Sequence, residues 1–471
     1  MTKWRLALAV LGLFLALPLH AFDWEEVSSD GRDYVTLRSF CAFYGFAYSA
    51  PGGNDRFTSR NAAHSVSFKV SSSDAYIDGI HYVLSFPVEN GAQDWLVSKM
   101  DVIKLFEPVL RPDEVSGRHT IRGVVIDAGH GGTDNGATSR LGNEKTYTLD
   151  TAFRLAQILN GAGLRTAFTR RNDVFVDLYE RAHIASLYPD YCFVSIHYNS
   201  ASAEAHGLET YCLSPRGAAS TSSRYLTRGD IQKLPGNDYD PENILLASMV
   251  HSEIIRLNPG DASADRGVKR ARFVVIKMNV LPAILVEGGF VSNHMEAARV
   301  NRPDYRQALA RAIARGVIRF INLMGDRHMA LPSEPPLGTF GGGTPPRALP
   351  VALPAPAGLA HDPANGKKAG ASSASTHKKS TTKNTTVNAG QPSSATPSGP
   401  LAPSPEPLAR AGKGTKGGGE ALNLTEPAAP AVSPDSARSS DEPDEPPTVN
   451  STPPTPAHHA GSTNAAPAHE P

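Results

Sequence analysis

Three short apolar runs in this chain each lead into a side chain able to bind a metal or move a proton. Gly123-Val124-Val125-Ile126-Asp127 is followed by His130, Phe193-Val194-Ser195-Ile196 by His197, and Ile284-Leu285-Val286 by Glu287. Apolar runs of this length read as strands covered on both faces. In open α/β sheets the loops at the carboxyl ends of the strands converge on one crevice, so the three side chains are expected to meet. A single histidine after a strand is most often a hydrogen-bonded structural residue. Two histidines and a glutamate at equivalent strand ends are different, because an apolar sheet has no other reason to gather polar side chains. Glu144 is a fourth candidate at the start of a helical pattern, where its carboxylate either complements the helix dipole or joins the histidines.

The elements that must position these residues follow from periodicity. Leu149, Ala152, Phe153, Ala156 and Leu159 fall at helical spacing, and Gly161 with Gly163 ends that helix. Strands are predicted over residues 165–169, 192–197, 208–213, 273–276 and 283–286, with helices over residues 178–187 and 243–257. An amphipathic helix through Tyr305, Leu309, Ala312, Ile313, Val317 and Phe320 closes the pattern. The alternation predicts an α/β domain over residues 118–325, with a mainly parallel open sheet flanked by helices. Upstream, residues 22–117 read as a small α+β domain. Residues 65–70 alternate at period two, Asp78-Gly79 turns between two β-prone runs, and residues 34–38 lead into a helix with an aromatic face.

Composition sets the limits of the folded part. The chain has 471 residues, and 26 of its 38 prolines follow Leu331, where Phe340 is the one aromatic residue. Such a stretch cannot bury enough apolar surface to offset its ordering entropy, so residues 326–471 are expected to be a disordered Pro/Ala/Ser/Gly-rich tail. Lys3 and Arg5 precede a short apolar run over residues 6–17, with Ala21 at a cleavage point, which predicts a signal peptide over residues 1–21. The expected product is exported, periplasmic or extracellular and wall-associated, with no integral membrane segment after cleavage. With 46 basic and 46 acidic side chains the net charge is zero, so nucleic acid is not an expected partner. Cys41, Cys192 and Cys212 are too few for a disulfide scaffold and read as buried thiols.

Four separated blocks carry a family resemblance. Residues 124–132 with Gly136, Glu144-Lys145, residues 195–199, and residues 285–293 together resemble the zinc-dependent N-acetylmuramoyl-L-alanine amidases. Arg170, Asp173, Leu178, Arg181, Ala182 and residues 265–269 add to the likeness, which spans about residues 122–324. The resemblance implies that His130, Glu144 and His197 bind zinc and that Glu287 is the catalytic carboxylate. It further implies a peptidoglycan substrate, cut between N-acetylmuramic acid and the L-alanine of the stem peptide. Residues 22–117 are similar to the small N-terminal repeat domain of copper amine oxidases, an accessory module that carries no copper chemistry.

Two histidines and one carboxylate leave a fourth tetrahedral position open, as a catalytic zinc requires. Asn199 and Asn293 are possible substrate contacts, although Asn293 could equally cap the helix that follows. Gly131, Gly132, Gly288 and Gly289 either admit substrate backbone or make tight turns. Residues 214–242 are too polar for core, and Gly217, Gly229 and Gly236 suggest hinges of a lid over the metal. Two alternatives stand beside the amidase reading: a zinc carboxypeptidase using Arg170, Arg181 or Arg266 to hold a terminal carboxylate, and a catalytically inactive wall-binding protein.

Overall fold

The computed structural model describes residues 22–50, 55–115, 120–223, 225–325 and 328–334. The expected signal peptide and nearly all of the expected tail lie outside the described residues. Toward the N-terminus, β1 (Glu26–Ser29), β2 (Arg32–Thr36), β7 (Glu89–Asn90) and β8 (Trp95–Ser98) form an antiparallel sheet in the order β1-β2-β8-β7. Helix α1 (Leu37–Tyr44) starts where the Thr36 side chain accepts from Ser39 N and stops at Gly45, which adopts φ +69°. The strands β3 (Arg56–Arg60), β4 (Ser65–Lys69), β5 (Asp74–Ile77) and β6 (Ile80–Val83) form a meander. Asp78 and Gly79, both at positive φ, make the expected hairpin turn between β5 and β6.

The larger part follows the expected alternation. It runs β9 (Gly123–Ala128), a small hairpin of β10 (Thr138–Ser139) and β11 (Gly142–Asn143), α2 (Glu144–Gly161), β12 (Arg165–Phe168), α3 (Leu178–Ser186), β13 (Tyr191–Asn199) and β14 (Leu208–Leu213). Then come α4 (Asp240–Ile254), β15 (Asp265–Ala271), α5 (Val274–Lys277), β16 (Ala283–Phe290), α6 (His294–Val300) and α7 (Pro303–Met324). One sheet of ten strands holds the order β12-β9-β13-β16-β14-β15-β6-β5-β4-β3. The first four are parallel, β14 runs antiparallel to β16, and β15 is parallel to both β14 and β6. A mainly parallel α/β sheet is therefore present, and the meander extends it.

Helices α2, α4 and α7 cover one face through a core that contains Val124, Ile126, Leu155, Val194, Leu246 and Ile313. Val125, Phe193, Leu285 and Ile276 form a smaller core on the other face, beneath α3 and α5. Between α4 and α7 the backbones nearly touch, because a Cβ on Gly316 would lie 2.4 Å from Val250 Cα. The larger core continues without a break into Phe40, Phe68, Phe106 and Leu110 upstream of residue 117. Polar contacts cross the same junction: His81 N donates to Asp265 Oδ2 (3.1 Å), and Arg270 Nη2 to the Lys104 carbonyl (2.7 Å). All three cysteines are free and buried, as expected.

Two expectations fail. Residues 273–276 are not a strand, since Val274–Lys277 is a helix that packs on α3. Residues 214–242 are not placed to close over the candidate site. The pairs Glu209↔Glu287 and Tyr211↔Leu285 show that β14 starts at the cleft and exits at the opposite end of the sheet. There Arg272 donates to the carbonyls of Ala218 (2.8 Å), Pro215 (3.0 Å) and Asp230 (3.1 Å), which ties the segment down. At the C-terminal end, Asn322 exchanges two hydrogen bonds with Met329, and Glu334 pairs with Arg256 (2.8 Å), so ordered contacts extend past residue 326.

Candidate metal centre and active site

His130 leaves β9 with φ +59°, a region that costs a non-glycine residue on the order of 1–3 kcal/mol. Its surroundings enforce that conformation. Arg181 donates to the His130 carbonyl (2.8 Å) and the Ala128 carbonyl (2.7 Å), while Arg170 donates to the Ala128 and Gly129 carbonyls, both at 2.8 Å. Arg181 is itself held by the buried Asp127 (2.8 Å), which also accepts from Thr169 (2.5 Å) and Ser195 (2.7 Å). Burial alone would push the Asp127 carboxyl up, but Arg181 and the two hydroxyls outweigh it and hold the group below its ordinary value. Gly129 has no room for a side chain, since a Cβ there would lie 2.4 Å from the His197 ring.

Glu144 opens α2 and is buried. Its carboxylate accepts from the backbone N–H groups of Ala137 (2.8 Å) and Tyr198 (2.9 Å) and faces both histidines. His197 Nδ1 lies 3.0 Å from Glu144 Oε1, and His130 Nε2 lies 3.1 Å from Glu144 Oε2. His130 Nδ1 meets Asp134 Oδ2 at 2.8 Å, which fixes the ring and turns Nε2 inward. That Nε2 is buried and makes no aligned hydrogen bond among the described residues. Burial would lower the His130 pKa, but Glu144 and Asp134 raise it to about 9.

One ligand atom from each of His130, Glu144 and His197 lies within 4.8 Å of the others. Tetrahedral zinc ligands at about 2.0–2.1 Å from the metal are roughly 3.4 Å apart, so the residues present fit such an ion with small side-chain adjustments. Glu287 pairs laterally with His197 on β13 and with Glu209 on β14. It is buried, its Oε2 has no partner among the described residues, and burial together with Glu144 and Glu209 pushes its pKa well up while Lys269 opposes. A carboxyl group poised in this way can take and return a proton.

Sequence reasoning missed Glu209. It is buried in β14 and accepts from Lys269 Nζ (2.8 Å), Tyr211 OH (2.5 Å), Asn199 Nδ2 (3.1 Å) and Arg266 Nε. A lone carboxylate inside the apolar run Leu208 to Leu213 was the available signal. Asn199 thus donates to Glu209, and its Oδ1 accepts from Ser200 N (2.8 Å). Asn293 caps α6, accepting from Met295 N (3.0 Å) and Glu296 N (3.1 Å), and donates to the Ala203 carbonyl (2.8 Å). The spaces beside Gly131, Gly132 and Gly288 are filled by Val174, Phe175 and Leu309, so these glycines make room for the protein itself.

An open α/β sheet with two histidines and a glutamate at its strand ends, and a further carboxyl beside them, has the donor set of a hydrolytic zinc enzyme. Residues 124–319 match the Amidase_3 family model, N-acetylmuramoyl-L-alanine amidase. The chain is 32% identical to the N-acetylmuramoyl-L-alanine amidase AmiA of Escherichia coli over 222 residues, covering 43% of this chain and 76% of AmiA. It is 33% identical to the sporulation-specific N-acetylmuramoyl-L-alanine amidase of Bacillus subtilis, covering 42% of this chain and 68% of that one. The solved catalytic domain of CwlV, an N-acetylmuramoyl-L-alanine amidase from Bacillus (Paenibacillus) polymyxa, is 30% identical, with 43% of this chain and 99% of that chain covered and a TM-score of 0.35. The chain belongs to the N-acetylmuramoyl-L-alanine amidase family, and its enzyme class is peptidoglycan hydrolase.

Proposed function

We propose that the chain cuts the amide between the lactyl carbonyl of N-acetylmuramic acid and the L-alanine of the stem peptide, with zinc held by His130, Glu144 and His197 and with Glu287 as the proton carrier. The observation that carries this reading is the convergence of the His130, Glu144 and His197 side chains, with Glu287 paired laterally to His197 and its buried Oε2 without a partner among the described residues. Bound zinc would polarise the amide carbonyl and lower the pKa of water from 15.7 to about 7. Glu287 accepts the proton of the attacking water and delivers it to the departing amine. Asp134 holds the His130 ring, and the N–H groups of Ala137 and Tyr198 hold Glu144, so the ligands are positioned before the metal arrives.

The test uses purified sacculi. Glu287→Gln should lose release of stem peptides bearing a free alanyl amine while retaining about one zinc per chain, a content expected of a non-ligand. Persistent turnover would sink the assignment of Glu287. Residues 1–21 act in this reading as the export signal, residues 22–117 as the accessory module and the residues after 334 as a solvated tail, which makes the enzyme periplasmic or extracellular. Among the described residues no helix is long and apolar enough to cross a membrane. Fractionation of cells with and without residues 1–21 checks the export step.

A further inference from the structure

Of the three arginines able to hold a carboxylate near the cleft, two are committed to the scaffold. Arg170 and Arg181 are buried and spend their N–H groups on the carbonyls around His130. Arg266 differs. Its side chain is 36% exposed, its Nε donates to Glu209, and its guanidinium carbon lies 4.9 Å from the centroid of the Phe290 ring. Its two terminal nitrogens make no hydrogen bond among the described residues. A guanidinium fixed along one edge and stacked on a ring, with its outer edge free, is a preorganised two-pronged receptor for a carboxylate. Lys269 shares the Glu209 carboxylate at 2.8 Å, so Glu209 is held from two sides and makes no demand on the outer edge of Arg266.

Strand register gives this receptor a direction. His197 pairs with Glu287, and Glu287 with Glu209, so the three side chains share one face of the sheet. They lead outward from the metal ligands to Arg266 on β15. Neighbouring strands lie about 4.8 Å apart, which puts β15 about 10 Å from the strand of Glu287. In the proposed reaction Glu287 returns its proton to the departing amine, which places the first residue of the stem peptide on the Glu287 side of His130, Glu144 and His197. An extended peptide advances about 3.3–3.6 Å per residue, so its second or third residue comes within reach of the arginine.

We infer that Arg266 binds a free carboxylate on the second or third residue of the stem peptide and thereby selects substrates that carry this acid over those in which it is an amide. The inference rests on the reaction proposed above. Two synthetic muramyl peptides that differ only in carboxylate against carboxamide at those residues provide the test, with kcat/KM measured for each. The wild-type enzyme is expected to favour the acid by about tenfold or more, mainly through KM, as a charge-assisted hydrogen bond would. In Arg266→Gln that ratio should collapse to near one, and Arg266→Lys should restore part of it. A wild-type ratio near one overturns the inference without any variant. So does an equal loss on both substrates in Arg266→Gln, which would mark the arginine as a brace for Glu209 and Phe290. If the wild type cleaves neither peptide at the lactyl-alanine bond, the proposed reaction fails and the inference with it. Cleavage without preference removes the arginine alone.

Discussion

A histidine ligand is only as good as the group that holds its other nitrogen. Asp134 does this for His130 at 2.8 Å, and Asp134→Asn should weaken zinc affinity about 10–100-fold in competition with a chelator while the thermal midpoint changes little. Unchanged affinity would show that the ring is held by packing. Deeper in, Asp127 and Arg181 are both buried, and removing one charge of such a pair typically costs about 3–5 kcal/mol. The Asp127 carboxyl is held below its ordinary value of 3.8, so its contribution is complete above the unfolded pKa and fades as pH falls through the lower folded one. Asp127→Asn should therefore unfold at lower urea than the wild type at pH 7, with the gap narrowing below about pH 4. A gap that stays constant with pH would contradict this. His130, His197 and Glu287 stand out in the sequence because polar side chains at strand ends have few structural reasons to be there, and Glu144 stands out at the start of a helix. The structure brings His130, Glu144 and His197 together and pairs Glu287 with His197. Glu209 shows in the sequence only as a lone carboxylate in an apolar run, because its meaning depends on which residue faces it across β14 and β16, a pairing between segments far apart in the chain.

The elements raise a conflict between propensity and packing. Alanine in place of glycine inside a helix ordinarily gains about 1 kcal/mol. At Gly316 of α7, however, the added carbon would meet Val250 Cα of α4 at 2.4 Å, and overpacking of a tight contact costs about 1–3 kcal/mol. Gly316→Ala should consequently lower the thermal midpoint, whereas a gain would mean that the two helices separate easily. The same contest explains the misread segment at residues 273–276. Phe273-Val274-Val275-Ile276 has the β-branched run of a strand, yet its packing against α3 makes it a helical turn. Glycine content likewise suggested a lid, but strand direction, which leaves no trace in local composition, carried those residues to the far end of the sheet.

At the scale of the molecule, residues 22–115 and 120–325 share one sheet and one continuous apolar core. A chain beginning at residue 120 would bare the β15 edge, along with the surface now packed against Phe106 and Leu110. It should melt several degrees lower and associate as its concentration rises, which sedimentation and calorimetry would reveal. A truncated chain with the stability of the full one would show that the junction contributes nothing. The two parts could be told apart in the sequence by their patterns, one of hairpins and one of alternating strands and helices. Their union could not, since it hinges on Tyr82 meeting Val268 across 186 positions of chain (268 − 82).

The reversed direction of β14 leaves the molecule with a back door for engineering. The long segment that follows it emerges at the end of the sheet away from the cleft, and Tyr225 within it is 79% exposed. A fluorescent domain spliced beside Tyr225 would ride behind the enzyme as it meets the wall, so the place and time of cutting could be watched with the cleft left open.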